Sequence, residues 1–275
     1  MRSIGLHLRL NHSLRNAAQR AIALQLPIFQ CFFIEQHSRE LITVDNQLVQ
    51  EFNRLRDEHF DMVFVHASYF INLASLKYDA VRLFKRELHL AKRLSCSHII
   101  LHPGSAVGAQ DKAEGIDELA RSLNNIMRSE QEVTIVLENT THGNLSVGSD
   151  ITDFKLLLAK LDYPERISFC IDTAHAYSYG YDLGETASRN EFIALIDDSI
   201  GIQNISVIHL NDTNQPCGSR IDKHALIGEG VIGEDALKQF VLDERLNHIP
   251  IILELPVLPE DQEDAMLHKI RTWHS

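Results

Sequence analysis

The chain has 275 residues, 44% of them hydrophobic and 23% charged, an ordinary globular composition with ample material for a sizeable core. A formal net charge of −12 argues against a protein that grips nucleic acid through a broad basic surface, although bound divalent cations can invert the sign of a local site. No stretch approaches the ~18 consecutive apolar residues of a membrane span, and the apolar run that opens the chain is broken by His7 and Arg9, too short for a signal peptide.

In chain order the pattern reads as eight strand-then-helix units. The strands fall at about Ser3–Leu8, Pro27–Phe33, Met62–His66, His98–His102, Val133–Glu138, Ile167–Asp172, Ile205–Leu210 and Pro250–Leu255. The helices follow at about Asn16–Leu24, Asn46–His59, Asp79–Leu94, Lys112–Arg128, Thr152–Leu161, Asn190–Asp198, Glu234–Leu242 and Glu260–Trp273. Several strands are continuous apolar runs, as a parallel sheet buried on both faces requires. With no Ser- or Pro-rich linker, the expectation is a single (β/α)8 TIM barrel over residues 1–275. A doubly wound open sheet usually carries a Gly-rich turn after its first strand; here Leu8-Arg-Leu-Asn-His-Ser13 has no glycine.

The four cysteines (Cys31, Cys96, Cys170, Cys217) are scattered and read as reduced thiols of a cytoplasmic protein. The 15 histidines are more telling, because imidazole is the commonest metal ligand. Strands one, three, four and seven carry His7, His66, His102 and His209 at their ends. Strands five, six and eight finish at Glu138, Asp172 and Glu254, with His175 three residues beyond Asp172. A lone Asp-x-x-His is as readily a capped turn with a hydrogen-bonded histidine; the recurrence along the chain points to ligation. The carboxyl ends of barrel strands form one rim, where active sites are built. After strand seven, Asp222 and His224 alternate along an extended segment and can share one ion. Glu138, Asp172, Asp222 and Glu254 plus five of these histidines are too many for one four-coordinate zinc, so a multi-metal site is expected.

At this point the chain resembles the endonuclease IV family of apurinic/apyrimidinic (AP) endonucleases, barrels with a trinuclear zinc site. The likeness spans nearly the whole chain. It rests on His102-Pro-Gly-Ser105, Glu138-Asn-Thr140, Cys170-Ile-Asp-Thr-x-His175 with Gly180-Tyr-Asp-Leu183, His209-Leu-Asn-Asp212, Gly218-Ser-Arg-x-Asp-x-His224 with Gly228-Glu-Gly230, and Ile252-Leu-Glu254. The resemblance implies that His66, His102 and Glu138 hold one zinc, and that Glu138 bridges to a second completed by Asp172, His209 and Glu254. His175, Asp222 and His224 would hold a third. Three Zn2+ are expected per chain, with Mn2+ acceptable at one site.

The implied reaction is hydrolysis of the phosphodiester 5′ to an abasic site in duplex DNA, leaving a 3′-hydroxyl. Metal-activated hydroxide would attack, Glu138 and Glu254 would be the catalytic carboxylates, and base excision repair would be the setting. Damaged double-stranded DNA is the expected partner, with no membrane and no obligatory protein partner, for a monomer. Tyr69-Phe70 matches the family's minor-groove wedge; the alternative is that these rings simply pack over the rim. Arg9, Arg15, Lys77, Arg220 and Lys223 are candidate phosphate contacts. His37 stands where the family has an intercalating arginine, Ala67 where it has an aspartate, and Thr141-His-Gly143 where it has Gly-Gln. These departures bear on substrate preference. The rival reading is a metal-dependent sugar isomerase or epimerase, which needs fewer metals and would leave Asp222, His224, His66 and His102 surplus.

Overall fold

The eight apolar runs form parallel strands that close on themselves. A computed structural model describes residues 2–10, 13–34, 40–77, 80–143 and 145–273. The barrel strands are β1 (Ile4–His7), β2 (Ile28–Phe32), β3 (Met62–His66), β4 (His98–Leu101), β5 (Thr134–Glu138), β6 (Ile167–Asp172), β7 (Ile205–His209) and β10 (Ile251–Leu253). They close in the order β1-β10-β7-β6-β5-β4-β3-β2. A two-stranded antiparallel ribbon, β8 (Asp212–Thr213) and β9 (His224–Ala225), stands in the connection after β7.

The helices are α1 (Leu14–Ala23), α2 (Asn46–His59), α3 (Val81–Arg93), α4 (Lys112–Ser129), α5 (Thr152–Leu158), α6 (Thr173–Tyr179), α7 (Thr186–Ile200), α8 (Glu234–Leu242) and α9 (Glu260–Thr272). Short polar side chains start several of them. Ser13, Asp45 and Asp111 accept from the backbone N–H three residues on, at 3.1, 2.8 and 3.0 Å, each cap being worth about 1 kcal/mol. The segment after β6, where the sequence pattern places no helix before Asn190, forms helix α6, with Asp172 capping it in the same way.

Two apolar layers hold the barrel. The larger lies between the sheet and the helices. The smaller fills the interior with Ile28, Phe64, Ile100, Val136, Cys170, Val207 and Ile252, one from each of seven strands. The eighth, β1, contributes Gly5, where a Cβ would sit 2.2 Å from the Ile28 carbonyl oxygen. Side chains alternate across a strand, so the next residue on the same side is two positions further on. Those positions are Gln30, His66, His102, Glu138, Asp172, His209, Glu254 and, on β1, His7. The polar groups therefore form a storey directly above the apolar floor, at the carboxyl ends of the strands.

Candidate metal centre

Strand register brings the polar storey together. Asp172 on β6 is level with His209 on β7, and Phe32 on β2 is level with His66 on β3. Glu138 lies at the centre with no exposed surface. Its Oε2 is 3.1 Å from both His66 Nε2 and His102 Nε2, and its Oε1 is 3.0 Å from His209 Nδ1 and 3.3 Å from His175 Nδ1. The two oxygens of one carboxylate thus face different sets of imidazoles.

Three groups of imidazole and carboxylate donors able to hold a metal overlap here: His66, His102 and Glu138; Glu138, Asp172, His209 and Glu254; and Asp172, His175 and His224; a fourth sets the Cys170 thiol beside Glu138 and His209. Asp222 reaches the third from the rim, 3.2 Å from His175 Nε2 and 3.6 Å from His224 Nε2. All nine residues singled out from the sequence therefore meet at one mouth. Asp172 belongs to two groups rather than one, since its Oδ2 is 4.0 Å from His209 Nδ1 and 3.7 Å from His224 Nε2. Its other oxygen accepts from the His175 backbone N–H at 2.7 Å. The capped turn and the cluster position coexist in one side chain.

Four of the five imidazoles are oriented by hydrogen bonds to groups outside the cluster. Nδ1–H donates to a backbone carbonyl in His66 (Ala67, 2.8 Å), His175 (Asn139, 2.9 Å) and His224 (Glu254, 3.3 Å), leaving Nε2 as the lone-pair nitrogen. His209 is turned the other way: Nε2–H donates to Gln30 Oε1 at 2.9 Å and Nδ1 faces the carboxylates. Such outer hydrogen bonds orient metal-ligating histidines. His224 Nε2 is buried and has no hydrogen-bond partner. An orphaned imidazole nitrogen among carboxylates is a poor end state for a protein interior and a good one for a site that takes up cations. The residues present fit divalent ions of the zinc class through their imidazole and carboxylate donors.

Sequence reasoning overlooked the supports. Asn211 Nδ2 donates to Asp172 Oδ2 at 2.6 Å and Glu254 Oε2 at 3.3 Å, and its Oδ1 accepts from the Glu254 backbone N–H. Asn139 exchanges hydrogen bonds with the Asp172 backbone. Gln30 Nε2 donates to Glu254 Oε1 at 2.7 Å, while His7 Nδ1 lies 3.2 Å from the same oxygen. The period-2 offset from Ile28 could have found Gln30. Asp212 clamps the glycine loop: it accepts from the backbone N–H of Gly228, Gly230 and Ile232 at 3.0, 3.2 and 3.1 Å. Gly230 is required there, because a Cβ would meet Asp212 Oδ1 at 2.3 Å.

The charges are mutually supporting. Burial alone would favour neutral Glu138, yet His209 and His102 hold its carboxyl well below the usual range. Burial likewise works against charged Glu254, but His209 and the hydrogen bond to His7 outweigh it. Burial would lower the His175 pKa, but Asp172 and the bonds to Asp222 and Glu138 raise it well above 6.5. Binding of metal ions to these groups would displace protons from the imidazoles. Cys170, in the apolar floor beneath, is pushed up to about 12 by burial and stays a thiol.

On the outer rim, Tyr69 and Phe70 are 56% and 41% exposed. Tyr69 stands edge-on to Phe32 at 5.7 Å and packs against Phe70 at 4.9 Å. Their loop is anchored by Ser68 N–H, which donates to both oxygens of Glu87 on α3, a buried carboxyl pushed up to about 7 by that burial. Arg220, at a positive φ of 63°, lays its guanidinium 3.7 Å over the Tyr179 ring. Lys223 is exposed between Asp222 and His224, whereas Arg15 is paired with Glu51. Ala67 is buried behind His66. His37 lies outside the described residues.

This fold with its rim of donors places the chain among the xylose isomerase-like TIM barrels, whose family model matches residues 22–273. A probable endonuclease 4 from Halorhodospira halophila is 35% identical, covering 94% of this chain and 90% of its own length. Another from Mycoplasma pneumoniae is 32% identical, covering 95% and 94%. The crystal structure of endonuclease IV from Thermus thermophilus is similar with a TM-score of 0.85 at 30% identity, over 99% of this chain and 98% of that one. The chain belongs to the endonuclease IV family.

Proposed function

We propose that the protein is a zinc-dependent AP endonuclease that hydrolyses the phosphodiester 5′ to an abasic site in duplex DNA and leaves a 3′-hydroxyl. The observation that carries this reading is the convergence of nine imidazole and carboxylate side chains into three overlapping donor groups on one rim. In this assignment His66, His102 and Glu138 hold one ion. Glu138, Asp172, His209 and Glu254 hold a second, and His175, Asp222 and His224, with Asp172 alongside, hold a third. Bound ions of this kind supply Lewis acidity toward a phosphodiester and activate water near neutral pH.

The chain's own residues do the rest. Glu138 spans two donor groups with its separate oxygens and so fixes their spacing. Glu254, kept ionised beside His209 and His7, is the carboxylate that orients the attacking water. Gln30, Asn139 and Asn211 hold these groups in place before substrate arrives, which is the condition for electrostatic preorganisation. Tyr69 and Phe70 stand beside the mouth as a wedge that unstacks the base step at the lesion. Four carboxylates against three divalent cations leave a net positive mouth on an acidic chain, which suits a polyanionic substrate.

Incision of a duplex carrying one abasic site, with and without chelator pretreatment, tests the proposal together with zinc content. Chelator-sensitive cleavage and near three zincs per chain are expected. No incision by the fully loaded protein would overturn it, and about one metal per chain would favour the sugar isomerase reading.

A further inference from the structure

A second feature stands away from the rim, on the flank of the barrel. Helix α3 presents Arg82, Lys85, Arg86, His89 and Arg93 at helical spacing along one outer stripe. Its single carboxylate, Glu87, faces inward and is buried. Several cations on other flank helices are paired with carboxylates: Arg54 with Glu58, Arg121 with Glu118, Arg128 with Asp162 and Lys155 with Asp198. Among the described residues no carboxylate pairs with Arg82, Lys85, Arg86 or Arg93; Lys85 and Arg93 donate only to neutral oxygens of Asn125, Val44 and Asn46. On a chain of net charge −12 this is a local excess of one sign. The stripe borders a groove of about 810 Å³ that also includes Leu41, Ile42, Val44 and Leu90.

We propose that this groove docks a short acidic peptide segment bearing apolar anchors, supplied by another protein. The cations meet its carboxylates, and Leu41 and Ile42, half-buried at the groove's edge, meet its side chains. The length fits: Arg82 to Arg93 spans about 16 Å of helix at 1.5 Å per residue, or about five residues of extended peptide. Duplex DNA suits the groove less well. Its backbone offers nothing apolar to the floor, and α3 runs from the rim down the barrel side, so a duplex laid across the mouth passes one end of the stripe.

Fluorescence anisotropy with a labelled octapeptide alternating Asp with Phe and Leu tests this on the intact chain. Saturable binding is expected, weakened at least tenfold in Arg82→Glu/Arg86→Glu and again in Leu41→Ser, with incision of abasic duplex unchanged in both variants. The proposal is overturned by an absence of binding, by equal binding of an all-Asp octapeptide, or by binding that survives the charge reversal. It is equally overturned if the charge reversal weakens binding of undamaged duplex in the same proportion, which would make the stripe a nucleic-acid contact. A correctly folded control is secured by matching thermal unfolding of each variant to the parent.

Discussion

Glu138→Gln tests the centre at its most connected point. The side chain is wholly buried, and its oxygens lie 3.0–3.3 Å from four imidazole nitrogens, two at each oxygen. Glutamine keeps the volume but replaces one oxygen with an NH2 group, which offers a metal no lone pair. Whichever way the amide turns, one pair of imidazoles loses its shared carboxylate oxygen, and the negative charge is gone from both. Bound zinc should fall by about two ions per chain. Incision should fall by more than the roughly 100-fold that loss of an outer hydrogen bond costs at a metal site.

The metal-free protein should also be destabilised, because removing one partner from a buried charge cluster costs about 3 kcal/mol or more. That corresponds to a Tm lower by roughly 6–12 °C in a chain of this size. In the metal-free parent the depressed Glu138 carboxyl contributes stability that is present above about 4.5 and lost as pH falls below it. The variant should therefore lose part of its acid limb. Elemental analysis after zinc dialysis, an incision assay and thermal unfolding of chelated protein make the measurement. A variant that keeps its full zinc content and near-parental incision would refute the idea of a shared carboxylate.

Three other outcomes are expected. Asn211→Ala, which frees Asp172 and Glu254 from their common donor, should lower zinc affinity by roughly 10–100-fold in a chelator competition, with the fold retained by circular dichroism. Alanine at Tyr69 or Phe70 should weaken binding of abasic duplex by roughly 1–3 kcal/mol per ring without changing zinc content; equal affinity in gel shifts would show that these rings only pack on the rim. Glu87 has its folded pKa raised from 4.5 to about 7, so the folded state keeps a proton that the unfolded chain releases. Its contribution is complete below 4.5 and declines as pH rises through 7, by about 3 kcal/mol in all. Glu87→Gln keeps an acceptor for the Ser68 N–H and should be more stable than the parent at pH 8 and equal to it near pH 5, read by urea unfolding.

The barrel was legible because continuous apolar runs alternating with polar helices admit few architectures, and because the donors recur at strand ends. His66, Glu138, Asp172 and His209 could be placed on one rim by strand direction alone. The supports were hidden for a physical reason. Gln30, Asn139 and Asn211 are neutral amides whose value lies in which oxygen or nitrogen they offer to a neighbour far along the chain. Helix α6 was missed because seven residues carry little periodicity and its cap, Asp172, reads equally as a ligand. The sharing of Asp172 between two donor groups depends on the twist of β6 relative to the ribbon that carries His224, which no spacing encodes.

The two-residue offset between the apolar floor and the donors above it has a further consequence. Shifting any one strand by a single position would turn its donor outward into the helix layer and point an apolar neighbour, such as Val65, Leu137 or Ile208, into the donor cluster. A strand out of register would withdraw its own donor from the cluster, so the offset that packs the floor also sets the composition of the site. The same arrangement lets the chemistry be rewritten by exchanging residues on the upper deck while the deck below, which keeps the cylinder standing, is left alone.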